Sequence, residues 1–430
     1  MKPLKDLSSR ELSIKVIKEI ENGRALQETL DHYLNKNKLN SSDKALATNL
    51  VYGYFRLKNR LLFVLKNRIR QFKKLPNRFL HPMCLAVYEI LYLDRIPDYA
   101  TVNFYVEYIK KNVDKKLVGL SNGVLRNICR EKNSYLHKDF YKNNTKNEIE
   151  FFEVYYSIPQ KILELLLNQY TIKQARCFLE KSIDRPYIGI RINKKLVEAV
   201  KLIENLELEK KYILKHETRI YGFDQFEDVD KLEQRGILSK KSFESQIILQ
   251  QIKCFVKEPI WDICAGIGGK LTYFLEEDIC DIWASDVDFK KLIYLKKELL
   301  RLKLKEILVF LADGTKNFPL KKAPNTIILD VPCTGFGVLS RRPDIKYRFN
   351  EKRLKDLLQI QKRLLENSIE FLPAGGILVY ITCTWNKMEN GDMIEGILGK
   401  YDYLNLLKEI DFDFCSKYRE FFYCAVLKKQ

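Results

Sequence analysis

From Ser8 to about residue 140 the apolar positions recur at helical spacing, as in LSIKVIKEIENG (12–23) and LAVYEILYL (85–93). No stretch there alternates with a period of two, so this part reads as a bundle of amphipathic helices. The segment YKNNTKNEIE (141–150) is polar and aperiodic, and reads as a linker. Helical spacing returns over 151–182. RPYIGIRIN (185–193) and YILKHETRIYGF (212–223) carry the β-branched and aromatic runs of strands. From about Gly236 onward strand-like and helix-like segments alternate, the pattern of a doubly wound parallel sheet. The expected architecture is multidomain: an all-α bundle over 1–146, a small connecting α/β segment over 147–235 and a Rossmann-like α/β domain over 236–430.

Candidate chemistry falls at the ends of the expected strands. TIILDVPCTGFGVLSRRPDIKYR (326–348) places Asp330 and Cys333 just past an apolar run, and GGILVYITCTW (375–385) does the same for Cys383. In an open α/β sheet, ligands collect at the carboxyl ends of strands, so both thiols and the carboxylate are expected on one rim. A thiolate there is a strong nucleophile. Upstream, PIWDICAGIGGKLTYFLEE (259–277) reads as strand, glycine turn and helix start. Gly266, Gly268 and Gly269 let a backbone approach a ligand closely. Cys264, Ala265, Ile267 and Lys270 complete that turn. Asp286 in IWASDVD follows about twenty residues later, placed to accept from ribose hydroxyls, and Asp313 in VFLADGT repeats the pattern. No phosphate-cradling G-x-x-x-x-G-K-[ST] loop is present, which argues against a nucleoside triphosphate.

The order and spacing of DICAGIGGK, ASDVD, ADGT, LDVPCTGFGVLSRRPDIKYR and YITCTWNKMEN resemble the bacterial 16S rRNA (cytosine-5)-methyltransferase B family, also called Sun or Fmu. SSDKALATNLVYGYFRLKNRL, RIPDYATVNFYVEYIKK and LSNGVLRNICR resemble that family's N-terminal domain, which is similar to the antitermination factor NusB. The resemblance implies an S-adenosylmethionine-dependent enzyme that methylates carbon 5 of a cytidine. It places the cofactor on residues 264–270, Asp286, Asp313 and Asp330. The residues alone leave either thiol as the nucleophile; the resemblance gives attack to Cys383, and assistance in product release to Cys333. It further implies RNA as partner, 16S rRNA or an early small-subunit assembly intermediate, met by a monomer in the cytoplasm. Two departures stand out. Ile267 replaces the usual proline of the cofactor turn, and the segment before REFFYCAVLKK looks short, which predicts a trimmed last hairpin.

Charge agrees with a polyanionic partner. The net charge is +19, and residues 1–150 hold 29 Lys and Arg against 16 Asp and Glu. Between Asp43 and Glu89 there is no acidic residue but ten basic ones, of which Arg56, Lys58 and Arg60 are the candidate RNA contacts beside Arg341 and Arg342. The ten cysteines contain no C-x-x-C pair and there are four histidines, so neither a metal site nor a framework of disulfides is expected. The N-terminal MKPLKDLSSRELS offers no signal-peptide core, and no apolar run approaches the length of a membrane span.

Overall fold

The computed structural model describes residues 7–430; the first six, part of that polar N-terminal stretch, lie outside the described residues. The chain forms two compact units. One comprises the helices up to residue 183 together with the heptapeptide 342–348, and the other comprises residues 184–341 and 349–430. Among the described residues, no helix is long and apolar enough to cross a membrane.

The helical unit is built as its periodicity predicts. Helix Ser9–Glu21 begins with a capping box: Ser8 accepts from the Glu11 N–H, and the Glu11 carboxylate accepts from the Ser8 N–H at 3.0 Å. Helix Asn77–Tyr92 is buried on almost every side. It carries one carboxylate inward, Glu89, which accepts from Arg10 Nη2 at 2.7 Å, the Tyr105 hydroxyl at 2.6 Å and Thr101 Oγ1 at 3.0 Å. A charge can remain buried only with such a full set of partners. The expected linker at 141–150 is instead packed structure. Helices Lys138–Asn143 and Glu148–Tyr155 flank a short turn. Asn147 is a helix cap that accepts from the Glu150 N–H at 2.9 Å, and Tyr141 is fully buried. Polar residues that read as a linker serve as the cap.

The second unit contains two sheets. Strands β1 (Ile188–Ile192), β2 (Leu214–His216), β3 (Ile220–Phe223) and β4 (Leu238–Lys240) form an antiparallel sheet in the order β2-β3-β1-β4. Strands β5 (Ile260–Asp262), β6 (Ile282–Asp286), β7 (Leu308–Leu311), β8 (Thr326–Asp330), β9 (Ile377–Thr382), β10 (Leu404–Asp411) and β11 (Tyr423–Lys429) form the large sheet. Its order is β10-β11-β9-β8-β5-β6-β7, parallel from β9 to β7 and closed by an antiparallel hairpin. Beyond β5 the chain adds strands on one side, then returns to the other with β8. The strand order therefore reverses between β5 and β8, the switch point where such sheets bind ligands. The expected trimming of the last hairpin is not found, because β10 and β11 pair along their whole length with a single bulge.

A buried ion cluster fastens the small sheet to the large one. Arg191 of β1 and Arg219 are fully buried and converge on Glu276, at 2.8 and 2.7 Å. Arg191 also donates to Gln246 Oε1 at 2.7 Å and Thr272 Oγ1 at 2.8 Å. Glu276 ends the helix that follows the glycine turn, Leu271–Glu276. Glu276→Ala leaves two guanidinium groups without this carboxylate, and we expect a loss of about 3–5 kcal/mol. Urea unfolding should show a lower midpoint with an unchanged slope.

Candidate active site

The two thiols meet because their strands are neighbours. β8 and β9 pair in parallel with Asp330 opposite Ile381. Cys383 directly follows β9, and Cys333 lies three residues beyond β8. The intervening loop turns back at Gly335, whose φ of +74° falls in the left-handed region that suits glycine. Gly337 then passes so close to the backbone of Phe421 that a Cβ would collide with its carbonyl oxygen, and would crowd that of Cys383. Its N–H donates to the Cys383 carbonyl at 3.0 Å. The outcome is a separation of 3.3 Å between Cys333 Sγ and Cys383 Sγ, with the Cys383 N–H also directed at Cys333 Sγ. Eight of the ten cysteines are free thiols, this pair among them, Cys177 and Cys415 being the exceptions.

Beneath the thiols lies a carboxylate that sequence reasoning left unassigned. Glu389 is fully buried. It accepts from the Thr334 N–H at 2.8 Å, the Thr334 hydroxyl at 2.6 Å, Gln361 Nε2 at 3.1 Å and Asn386 Nδ2 at 3.0 Å. Thr334 follows Cys333, and its hydroxyl also meets the Thr384 hydroxyl at 2.8 Å. Phe336 stacks on Trp385, with ring centroids 5.1 Å apart. The Thr334 bonds and the Phe336–Trp385 stack join the loop after β8 to the loop after β9, and Gln361 ties that loop to the helix Glu351–Phe371. Glu389 was visible in YITCTWNKMEN, but nothing in its spacing announced that it would point inward.

Acids occupy the carboxyl ends of consecutive parallel strands. Gly266 and Gly268 adopt φ of +57° and +82°, so the turn after β5 has the tight geometry expected. Asp286, at the end of β6, holds that turn by accepting from the Gly266 N–H at 2.9 Å, and it accepts from the Asp288 N–H at 2.8 Å. Asp313 accepts from the Thr315 hydroxyl at 2.7 Å, which holds its carboxyl below the usual range. Lys270 is ion-paired with Asp330; burial lowers its pKa, but Asp330 and the other acidic groups around it together raise it above the usual value. Ala265 is buried and Ile267 is exposed. Burial, then Asp262, pushes the Cys264 thiol up from its usual value. Asp262 itself was missed. It ends β5 fully buried, and neither carboxylate oxygen has a hydrogen-bond partner among the described residues. Burial, reinforced by Asp330, pushes its carboxyl up to about 8.

The candidate RNA contacts need correction. Arg60 is buried; its Nε donates to the Tyr155 carbonyl at 2.8 Å. Arg56 is also buried, and its carbonyl accepts from Lys346 Nζ at 3.0 Å. Lys58 is ion-paired with Glu21 at 2.7 Å. These three serve the interior and flank of the helical unit instead of an open phosphate-binding face. Arg341 is ion-paired with buried Glu420 at 2.7 Å, whereas Arg342 is exposed.

Comparison with known proteins matches this layout. The family model for the 16S rRNA methyltransferase RsmB/F covers residues 250–418, which hold both thiols and the glycine turn, and the NusB family model covers residues 7–130. Residues 250–418 form an RsmB/F-type methyltransferase domain. It is 29% identical over 92% of its length to the probable ribosomal RNA small subunit methyltransferase B of Synechocystis sp., covering 90% of that protein. It is 25% identical to the protein of the same description from Bacillus subtilis, with 93% and 90% of the two chains covered. The crystal structure of PH0851 shares the fold, at a TM-score of 0.76 and 21% identity over 99% of this chain and 100% of that one. The cofactor of this methyltransferase domain is S-adenosylmethionine. The rim fits it: the glycine turn opens a backbone cradle, and the orphaned Asp262 carboxylate offers a buried acceptor for cationic or hydroxyl groups.

Two outcomes follow. Asp262 has a folded value near 8, above that of an unfolded carboxyl. Its contribution to stability is therefore full below the ordinary carboxylate range and is lost as pH rises through about 8. Asp262→Asn should remove that slope, so that the cofactor-free variant gains on the wild type in melts at pH 8–9; parallel pH profiles would contradict it. Glu389→Ala strands several buried donors, each worth about 1–3 kcal/mol. It should lower the melting temperature and reduce methyl transfer, while calorimetry shows cofactor affinity within about twofold of wild type.

Proposed function

We propose that this protein methylates carbon 5 of a cytidine in small-subunit rRNA through a covalent adduct between Cys383 and carbon 6 of the base. The observation that carries the proposal is the pair of sulfurs 3.3 Å apart, on the rim that also holds the Lys270–Asp330 pair. Two adjacent thiols suit a reaction in which one sulfur must bond to the base and later leave it. Relatives along nearly the whole chain carry the description ribosomal RNA small subunit methyltransferase B, which supports the substrate class.

Carbon 5 of cytosine is a weak nucleophile while the ring is aromatic. Addition of Cys383 Sγ to carbon 6 breaks that aromaticity and makes carbon 5 enamine-like. Addition of the thiolate places negative charge on ring nitrogen 3, which takes up a proton; the resulting N–H donates to the Asp330 carboxylate, whose charge Lys270 balances. When bound, S-adenosylmethionine supplies the methyl group as an electrophilic sulfonium. Loss of the carbon-5 proton to water, departure of Cys383 Sγ with the carbon–sulfur bonding pair and release of the nitrogen-3 proton restore the ring. Cys333 suits the departure step. Its hydrogen bond with Cys383, followed by burial, holds its thiol well above the usual range, so it keeps a proton beside the sulfur that must leave.

The test is tritium transfer from labelled cofactor to unmodified small-subunit rRNA, with a denaturing gel for the adduct. Cys383→Ala should abolish both transfer and adduct. Cys333→Ala should accumulate a denaturant-resistant RNA–protein complex and turn over slowly. The reverse pattern would exchange the two roles, and full activity in both variants would end the covalent mechanism.

A further inference from the structure

The basic run that lacks acids does have an open face, but it lies beyond the residues first considered. Helix Ser41–Arg68 ends at Ile69, which is extended and 5% exposed, so it pins the chain to the core. A 3-10 turn, Phe72–Lys74, follows, and Pro76 then starts helix Asn77–Tyr92. The chain between the helices encloses a cleft of about 660 Å³ lined by residues 66–74 and Asn127. That is ample for a group larger than one phosphate. Lys66, Arg70, Lys73 and Lys74 line it and are exposed. Among the described residues, none of the four takes part in an ion pair. Arg68 is the neighbour that does, with Glu131. None of the lining residues is acidic, and half-buried Phe72 gives the cleft an apolar wall.

Four uncompensated cations around a concavity repel one another, and a polyanion relieves that repulsion. Cations that track phosphates beside an aromatic face on which a base can stack are the elements of single-strand recognition. Amide groups such as Asn127 add hydrogen bonds to base or sugar. We propose that this cleft seats an unpaired segment of the RNA substrate, its phosphates on Lys66, Arg70, Lys73 and Lys74 and a base against Phe72. The inference rests on the RNA-methylating function proposed above and assigns the RNA seat of the helical unit.

The test uses the full chain and an unmodified 16S rRNA fragment, with binding measured across a salt series. The variant Lys66→Gln, Arg70→Gln, Lys73→Gln, Lys74→Gln should lose about tenfold or more in affinity at low salt. Its log–log salt slope should become shallower by roughly 2–3, from about 0.7 per single-strand phosphate contact. Lys73→Gln with Lys74→Gln alone should give about half that change in slope, which keeps the test decisive if the quadruple variant folds poorly. Phe72→Ala should weaken binding without moving the slope. A control that removes equal charge elsewhere on the helical unit, at the exposed Lys36, Lys38, Lys115 and Lys116, should leave the slope at wild type. Equal losses in control and cleft variants would reduce the effect to net charge and overturn the proposal. A cleft variant with wild-type affinity and slope, in a protein whose wild type methylates rRNA, would overturn the cleft and leave the RNA function standing. A wild type that neither binds nor methylates RNA would overturn both.

Discussion

The buried carboxylate of Glu389 is the constraint on which the thiol geometry depends. It has no cation among its hydrogen-bond partners; amide and hydroxyl donors from Thr334, Gln361 and Asn386 surround it. A charge in that setting tolerates no loosening, since every lost donor exposes it to the full penalty of desolvation. Thr334 and Asn386 belong to the two cysteine loops, so the penalty acts directly on their separation. Packing adds to it through Phe336 on Trp385 and through the close passage of Gly337. The sulfurs are thus held by hydrogen bonds and packing behind them.

The glycine-turn side of the rim follows the opposite rule. There the carboxylates are only partly satisfied from within. Asp286 is occupied with the backbone of the glycine turn, and Asp330 with Lys270. Asp262 has neither arrangement. Glu389 is saturated with donors in the loop after β9, whereas Asp262 at the end of β5 lacks them, and the contrast distinguishes a structural carboxylate from one left open to a ligand. A group left costly in the free protein is one whose cost a ligand can remove.

Much of this was legible in the residues, for physical reasons. Apolar runs ending in Asp330, Cys333 and Cys383 gave the strands and the rim, because parallel strands buried on both faces leave a strong signal. The glycine turn and Asp286 were legible because backbone conformation and spacing constrain both. Side-chain direction was not. Arg56 and Arg60 lie in a basic run that reads as surface, yet both are buried, Arg60 donating to the Tyr155 carbonyl. Asn147 looked like linker composition and proved to be a cap. Glu389 and Asp262 are single acids whose importance lies in burial, which spacing does not encode.

The heptapeptide 342–348 carries one more implication. The helical unit takes this segment from the middle of the methyltransferase sequence, after Cys333 and before the long helix Glu351–Phe371. Within the helical unit Lys346 donates to the Arg56 carbonyl, and Tyr347 donates to the Ser157 carbonyl at 3.0 Å. The boundary between the units is therefore not a point on the chain. No single cleavage yields the helical unit whole, and a ribosome translating this sequence has synthesised the thiol loop of Cys333 before the helical unit can be complete.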